Sequence, residues 1–231
     1  MDVILIPGFW LDSSAWDEVV PAVGAAGHEP RPITLPGLAP ADPSVGLRDQ
    51  ADYVVGLVDA AVGPVVLVGH SGGGAVAHAV VDARPDRIAK VIYVDSGPLG
   101  DGGMINDEFT AVDGMVPLPP RDEFDAESVV DMDDERWAAF AARALPIPEK
   151  VATEKQVLGD PRRYDVPVTV ITCEMSEATL RDLIAKGHPY VRELAAVKHY
   201  EIVELRTGHW PMLSKPAELA ALVAAALPPT G

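Results

Sequence analysis

The sequence GHSGG at residues 69–73 constrains the fold of this chain more than any other segment. The apolar, β-branched run of residues 64–68 precedes it, and residues 72–83 follow it with the composition of a buried helix. A serine at such a junction lies on a sharp strand-to-helix turn, where small neighbours let the backbone pack closely. The pattern predicts that Ser71 projects its hydroxyl above a sheet, with the amino end of a helix behind it.

Further strands and helices alternate along the chain. Apolar runs predict strands at residues 3–6, 29–35, 64–68, 89–94, 166–172 and 200–205. Helical spacing predicts helices at residues 16–25, 47–62, 72–83, 133–145, after Pro148, and at 177–185 and 215–226. Prolines weaken the second strand, so we expect it at a sheet edge. The alternation predicts an α/β protein whose mostly parallel sheet carries helices on both faces.

Residues 97–165 interrupt this alternation. Glycine, proline and acidic residues dominate the segment up to about residue 134, and helical patterns follow. A chain of 231 residues fits one α/β unit with an insertion. We predict that residues 1–231 form a single domain in which a cap-like insertion at about 97–165 covers Ser71.

A serine hydroxyl needs a base to take its proton. His209 lies just after the last predicted strand and before the last predicted helix, and it follows Ser71 in the chain. We predict that His209 is this base, and that activity rises with pH as the imidazole loses its proton near neutrality. His70, beside the nucleophile, either lines the pocket or packs the turn.

The carboxylate that would orient His209 has two candidates. Asp95 ends the strand after the Ser71 helix, and Glu174 follows the strand that ends at Thr172. Asp95 is favoured because its short side chain leaves little slack, whereas Glu174 loses more side-chain entropy when held in place. Both remain open.

Other positions are assigned to substrate and to the oxyanion. The backbone N–H groups of Phe9 and Gly72 are predicted to form the oxyanion hole, because each lies in a glycine-containing turn beside the serine. Predicted substrate-binding residues are Trp10, His70, Trp137 and Phe140. The alternative for Trp137 and Phe140, which share one helical face, is that they pack the insertion onto the core.

Charge and cysteine content exclude several classes of partner. A formal net charge of −17 argues against nucleic acids and anionic membranes, which attract basic surfaces. No apolar run is long enough to span a membrane, and the amino terminus lacks a signal-peptide pattern. The single cysteine, Cys173, excludes an internal disulfide and fits a reducing cytoplasm. We expect a cytoplasmic protein without metal, and a homodimer remains open.

The chain resembles the α/β-hydrolase superfamily, and within it the small esterases related to plant methylesterases and hydroxynitrile lyases. The resemblance is carried by residues 6–9 with Trp16, and by residues 69–73, 91–95 and 208–210. It implies a sheet of eight strands or slightly fewer, no metal and no cofactor. The chain differs in having Pro7 where those esterases have histidine, and in lacking their aspartate after the strand that ends at Thr172.

These features predict a serine hydrolase that cleaves a carboxylic ester, thioester or lactone of a small molecule through an acyl-enzyme intermediate. One alternative is a lyase or carbon–carbon bond hydrolase with the same catalytic residues. A second is a ligand receptor without catalytic activity, because a fold alone does not determine function.

Overall fold

The computed structural model describes residues 1–229. Within them, six parallel strands form the main sheet in the order β2-β1-β3-β4-β7-β8. These strands are β1 (Asp2–Ile6), β2 (Glu29–Pro32), β3 (Val65–His70), β4 (Ile88–Val94), β7 (Val168–Thr172) and β8 (Tyr200–Glu204), and the short strands β5 (Met115–Val116) and β6 (Ile147–Pro148) pair separately and antiparallel.

Helices alternate with the strands of the main sheet. They are α1 (Val20–Ala25), α2 (Leu47–Ala60), α3 (Gly72–Ala83), α4 (Asp134–Ala141), α5 (Glu149–Thr153), α6 (Glu177–Ala185), α7 (Arg192–Ala196), α8 (Pro211–Ser214) and α9 (Pro216–Ala226). Helix α1 packs on α9, and α2 packs on α3. Every residue of β3 is buried. Because successive side chains of a strand point to opposite faces, both faces of the sheet are covered.

The predicted α/β class and parallel sheet are confirmed, and the proline-containing strand β2 lies at the edge of the sheet. The sheet has six strands where the resemblance implied up to eight. Strand β2 ends at Pro32 rather than at residue 35, and the side chain of Thr34 beyond it accepts a hydrogen bond from Ser13 N at 3.1 Å.

Four predicted helices are shorter than expected, and one of them, α2, ends at Ala60 instead of residue 62. Residues 13–16 form a 3₁₀ turn, and α1 begins only at Val20, with a proline in its first turn. Helix α4 ends at Ala141 instead of residue 145. The last predicted helix begins at Pro216, because a proline is tolerated in the first turn of a helix but not in its interior.

Residues 95–167 connect β4 to its neighbour β7 and contain the predicted insertion. Aromatic side chains of this segment pack edge-to-face on aromatic side chains of the core. Phe109 contacts Trp10 with ring centroids 5.2 Å apart, and Phe124 contacts Trp210 at 5.3 Å. The segment is thereby attached to the loop after β1 and to the loop before α8.

Among residues 1–229, no helix combines the length and the apolar character needed to cross a bilayer.

The junction between α3 and β1 is packed too tightly for a larger residue. A Cβ atom on Gly73 would lie 2.5 Å from the carbonyl oxygen of Pro7 and 2.7 Å from that of Ile6. We expect Gly73→Ala to lower the free energy of unfolding by about 1–3 kcal/mol, because backbone must move to relieve the overlap. Urea unfolding would measure the change.

Gly56 provides a matched control, since it is exposed on α2 and a Cβ there would meet nothing within 4 Å. Gly56→Ala should raise the free energy of unfolding by about 0.5–1 kcal/mol, because alanine loses less backbone entropy in a helix. Equal unfolding midpoints for the two variants would contradict the packing argument.

Candidate active site

The sheet order brings three polar side chains to one edge. Strands β3, β4 and β7 are adjacent, and Ser71, Asp95 and Glu174 follow them within two residues. His209 lies on the loop between β8 and α8. Parallel strands end at the same edge of a sheet, which is where such folds form their sites.

Ser71 has φ 50° and ψ −125°, a conformation that non-glycine residues rarely adopt. Strain of this kind costs about 1–3 kcal/mol and persists only where neighbours hold it. Here the Ser71 N–H donates to Val94 O at 3.2 Å, and Ser71 O accepts from Ser96 Oγ at 2.7 Å and from Gly74 N at 2.8 Å. These hydrogen bonds hold both the N–H and the carbonyl oxygen of Ser71 and so stabilise the turn.

Close packing places the loop after β1 against the nucleophile. A Cβ atom on Gly8 would lie 2.5 Å from His70 Nδ1 and 2.9 Å from Ser71 Cβ. A Cβ atom on Gly72 would lie 2.5 Å from Cε1 of Phe9. Glycine at these positions lets the loop after β1 pack on the turn, with the ring of Phe9 against Gly72.

The imidazole of His209 joins the serine to the two carboxylates. Its Nε2 lies 2.8 Å from Ser71 Oγ. Its Nδ1 lies 2.7 Å from Oδ2 of Asp95 and 3.0 Å from Oε2 of Glu174. In a neutral ring, Nδ1–H donates to a carboxylate while Nε2 accepts the serine hydroxyl, which is the arrangement needed to remove its proton.

Asp95 is the more firmly held of the two acids. Its Oδ1 accepts hydrogen bonds from the backbone N–H groups of Cys173 at 2.9 Å and Glu174 at 3.1 Å. Its side chain is 7% exposed, against 29% for Glu174. The second carboxylate oxygen of Glu174 accepts a hydrogen bond from the hydroxyl of Ser128. The sequence treated these acids as alternatives, and the structure brings both to Nδ1.

This arrangement shifts the pKa values of all three groups. Burial raises the pKa of Asp95, although its hydrogen bond with His209 opposes the shift. Burial also acts to raise the pKa of Glu174, but its interactions with His209, Asp95 and Ser128 outweigh burial and lower the pKa to about 2. For His209, burial favours the neutral ring, yet the two carboxylates raise its pKa to about 9. The imidazole of His209 therefore stays protonated to a higher pH than the near-neutral value that the sequence predicts.

His70 is fully buried beneath the turn. Its Nε2–H donates to the carbonyl oxygen of His209 at 2.7 Å, and its Nδ1 has no partner within residues 1–229. Burial, together with the charge of His209, lowers the pKa of His70 to about 3. Burial leaves this ring little surface for a substrate and favours the packing alternative.

The inserted segment holds the other backbone group of His209. The His209 N–H donates to Ser128 O at 2.8 Å. A Cβ atom on Gly208 would overlap with this carbonyl oxygen, so the glycine lets the two loops approach. Ser128 contacts His209 through its backbone and Glu174 through its hydroxyl.

The sequence predicts Phe9 and Gly72 as oxyanion donors, and the ring of Phe9 lies against Gly72. Gly72 is the first residue of α3, so its N–H points away from the helical hydrogen-bond ladder. Phe9 follows Gly8, whose Cα is packed on the turn. Two N–H groups in these places can converge on an oxygen bonded to the carbon that Ser71 attacks.

The predicted substrate-binding aromatic residues form a packed cluster. Trp10 and Phe140 are buried, and Trp137 is half-buried. Phe140 and Trp137 contact Trp210, the neighbour of the base, with ring centroids 5.3 and 5.8 Å apart. The cluster attaches the insertion to the core, which favours the packing alternative for Trp137 and Phe140.

One small cavity adjoins the turn that carries the nucleophile. A cavity of about 10 Å³ lies between Phe9, Gly72 and apolar residues that include Leu35, which is room for about one water molecule. A depression of about 480 Å³ lies between residues 121–136 and the turn at 214–215, and Ser71 is not part of its wall.

Two positions at the site were not anticipated from sequence. Ser128 and Ser96 contact the groups around the nucleophile through hydroxyls. Ser128 lies in an irregular part of the insertion, where no periodicity points to it. Ser96 directly follows a candidate acid, and that proximity was the only available signal.

The donor atoms of the two acids and of His209 are close enough to raise the question of a metal site, but the contacts of Nδ1 with the carboxylates, at 2.7 and 3.0 Å, are hydrogen bonds. Single ligand atoms of Asp95, Glu174 and His209 lie within 4.8 Å of one another. A cation there would occupy the Nδ1 lone pair, so the ring could not donate from Nδ1 to either carboxylate. Metal binding and orientation of the base by Asp95 are therefore mutually exclusive.

Comparison with known proteins adds a family match and similar structures. A family model described as the alpha/beta hydrolase family matches residues 3–222. Lipase LipV of Mycobacterium tuberculosis is 30% identical over 190 residues, which cover 72% of this chain and 70% of the lipase.

Two solved structures share the whole architecture. An extracellular alpha/beta-hydrolase from a Paenibacillus species has a TM-score of 0.77 at 22% identity, with 98% of each chain covered. A methylesterase from Arabidopsis has a TM-score of 0.75 at 18% identity, again with 98% of each chain covered. At these identities the structural matches show the fold.

Proposed function

Since the chain belongs to the alpha/beta hydrolase family, we propose that it hydrolyses a carboxylic ester of a small molecule through an acyl-enzyme intermediate on Ser71. The observation that carries the proposal is the hydrogen-bonded series from Ser71 Oγ through His209 to Asp95, with distances of 2.8 and 2.7 Å. The relation to a lipase supports ester cleavage.

The chemistry follows from this geometry. Ser71 Oγ attacks the ester carbonyl while His209 Nε2 takes its proton, and Asp95 stabilises the resulting imidazolium. The carbonyl oxygen becomes an oxyanion that the N–H groups of Phe9 and Gly72 stabilise. Collapse breaks the bond to the alcohol, which receives the proton from Nε2. Water, deprotonated by the same nitrogen, then releases the carboxylic acid and restores the serine.

The surroundings favour an apolar ester. The aromatic rings of Phe9, Trp10 and Phe109 pack together, with the centroids of Trp10 and Phe109 5.2 Å apart, and the ring of Phe9 lies against Gly72, which follows the nucleophile. A net charge of −17 disfavours the approach of anionic substrates. Uncharged esters of small acids are therefore the first substrates to test.

The pH dependence should reflect the raised pKa of His209. Below its pKa the imidazole is protonated and cannot accept the serine proton. With the pKa raised to about 9, we expect kcat/KM to increase with pH through neutrality and level off only above about 9. Initial rates between pH 5 and 10 would measure this.

Spontaneous ester hydrolysis at alkaline pH should be subtracted with the Ser71→Ala protein measured in parallel. A rate that is already constant above pH 7 would show that the imidazole is not held in its charged form.

A fluorophosphonate probe tests the nucleophile directly. We expect one adduct per chain on the peptide that contains Ser71, and its absence in Ser71→Ala. Hydrolysis of p-nitrophenyl acetate by the protein without the probe would then establish esterase activity. An adduct without ester hydrolysis would favour a lyase on the same residues, and no adduct at all would favour a receptor without catalytic activity.

A further inference from the structure

Two carboxylates lie beside Nδ1 of His209, and this nitrogen can donate a single hydrogen bond. Nδ1 of His209 carries one hydrogen, and Oδ2 of Asp95 and Oε2 of Glu174 both lie within 3.0 Å of it. A single N–H cannot make straight hydrogen bonds to both oxygens. One acid can therefore orient the ring, and the other acts chiefly through its charge.

The contacts that hold the two acids indicate which of them orients the ring. Asp95 is fixed by two backbone N–H groups and has the shorter contact with Nδ1. Glu174 is more exposed, has one more methylene group, and is held by the hydroxyl of Ser128. Ser128 belongs to the inserted segment, so the position of Glu174 depends on how that segment packs.

We propose that Glu174, held by Ser128, is a positioning residue whose negative charge beside Nδ1 stabilises the imidazolium form of His209. Where it concerns catalysis, this inference rests on the proposed function. The protonation of the ring itself can be measured whether or not the protein hydrolyses esters.

Asp95 and Glu174 are the acidic partners of His209 within hydrogen-bond distance among residues 1–229. The ring of His70 lies beside that of His209, with centroids 5.1 Å apart, and the charge of Lys215 acts on the neighbouring thiol of Cys173. Burial lowers the pKa of His70 and raises that of Cys173, and the two carboxylates raise the pKa of Tyr190, which is 69% exposed. These three are neutral at pH 7, so the two carboxylates set the field at His209.

Titration of His209 by NMR in the full-length protein tests the proposal. The resonance is assigned by its disappearance in His209→Gln. Removal of one carboxylate within hydrogen-bond reach should lower the midpoint of His209 by about 1 to 3 pH units in Glu174→Gln. Ser128→Ala should lower it less, because a freed Glu174 side chain can turn toward solvent, and Ser128→Thr should restore the midpoint by retaining the hydroxyl.

Glu201→Gln is the matched control, since its side chain is 73% exposed on strand β8 and loses the same charge. It should leave the midpoint unchanged. Equal midpoints in the parent protein and Glu174→Gln would overturn the proposal. A shift in Glu174→Gln with none in Ser128→Ala would overturn the part assigned to Ser128.

Kinetics separate this inference from the proposed function. If both hold, the acid limb of kcat/KM moves to lower pH in Glu174→Gln by the same amount as the NMR midpoint, while the alkaline plateau and KM change little. A shifted midpoint in a protein without esterase activity would contradict the proposed function and leave the inference intact. An unshifted midpoint in a protein that hydrolyses esters would contradict the inference and leave the proposed function intact.

Discussion

Replacement of Ser71 by alanine should abolish ester hydrolysis. Loss of a serine nucleophile lowers kcat by about 10⁶ in enzymes of this mechanism. Among residues 1–229 the side chain of Ser71 makes one hydrogen bond, to His209 Nε2, and the turn is held by backbone contacts that alanine keeps. Purified Ser71→Ala should therefore keep the unfolding temperature of the parent while losing turnover.

Ser71→Gly is an informative companion variant. Glycine adopts φ 50° and ψ −125° without the steric cost that serine incurs. It should be inactive like Ser71→Ala but more stable, by up to about 1–3 kcal/mol, as the strain is relieved. If either variant kept more than a few per cent of the activity, another group would have to be the nucleophile.

Replacement of Asp95 by asparagine should have the second largest effect. The amide can present its NH₂ group to Nδ1, which favours the tautomer that cannot take the serine proton. The comparable change in a serine protease lowers kcat by about 10⁴, and we expect a loss of several orders of magnitude here. Burial of the side chain, which is 7% exposed, leaves the amide no room to turn away.

Paired kinetics of Asp95→Asn and Glu174→Gln at pH 9.5 would check this ranking, because most of the imidazole should then be neutral in both proteins. Glu174→Gln should be mild at that pH. The opposite ranking would assign orientation of His209 to Glu174. Two mild variants would indicate that Ser71 and His209 work without an acid.

Local sequence patterns sufficed for the strands that carry the site. Residues 65–68 and 91–94 are apolar and β-branched, so strands could be predicted there, and glycine on both sides of Ser71 marked the turn. The family resemblance and the α/β class followed from these same segments, and both are confirmed. The predicted helix boundaries were less accurate where a proline opposes the helical propensity of its neighbours, as at the start of α1.

Relations between distant segments could not be read from the sequence. The choice between Asp95 and Glu174 depended on which strand ends are neighbours, and the order β3-β4-β7 places both beside Ser71. The contact of Ser128 with His209 joins residues 81 positions apart through an irregular loop. No local preference encodes such a contact.

Local sequence patterns were enough to predict the class of fold, the sharp turn at Ser71 and the placement of a histidine after the last strand, because each depends on interactions between near neighbours in the chain. Tertiary structure decided that two carboxylates share one imidazole nitrogen and that the aromatic residues of the insertion pack onto the core. It also decided the direction of the His209 pKa shift. These properties depend on distances and burial, which arise only when segments far apart in the chain are packed together.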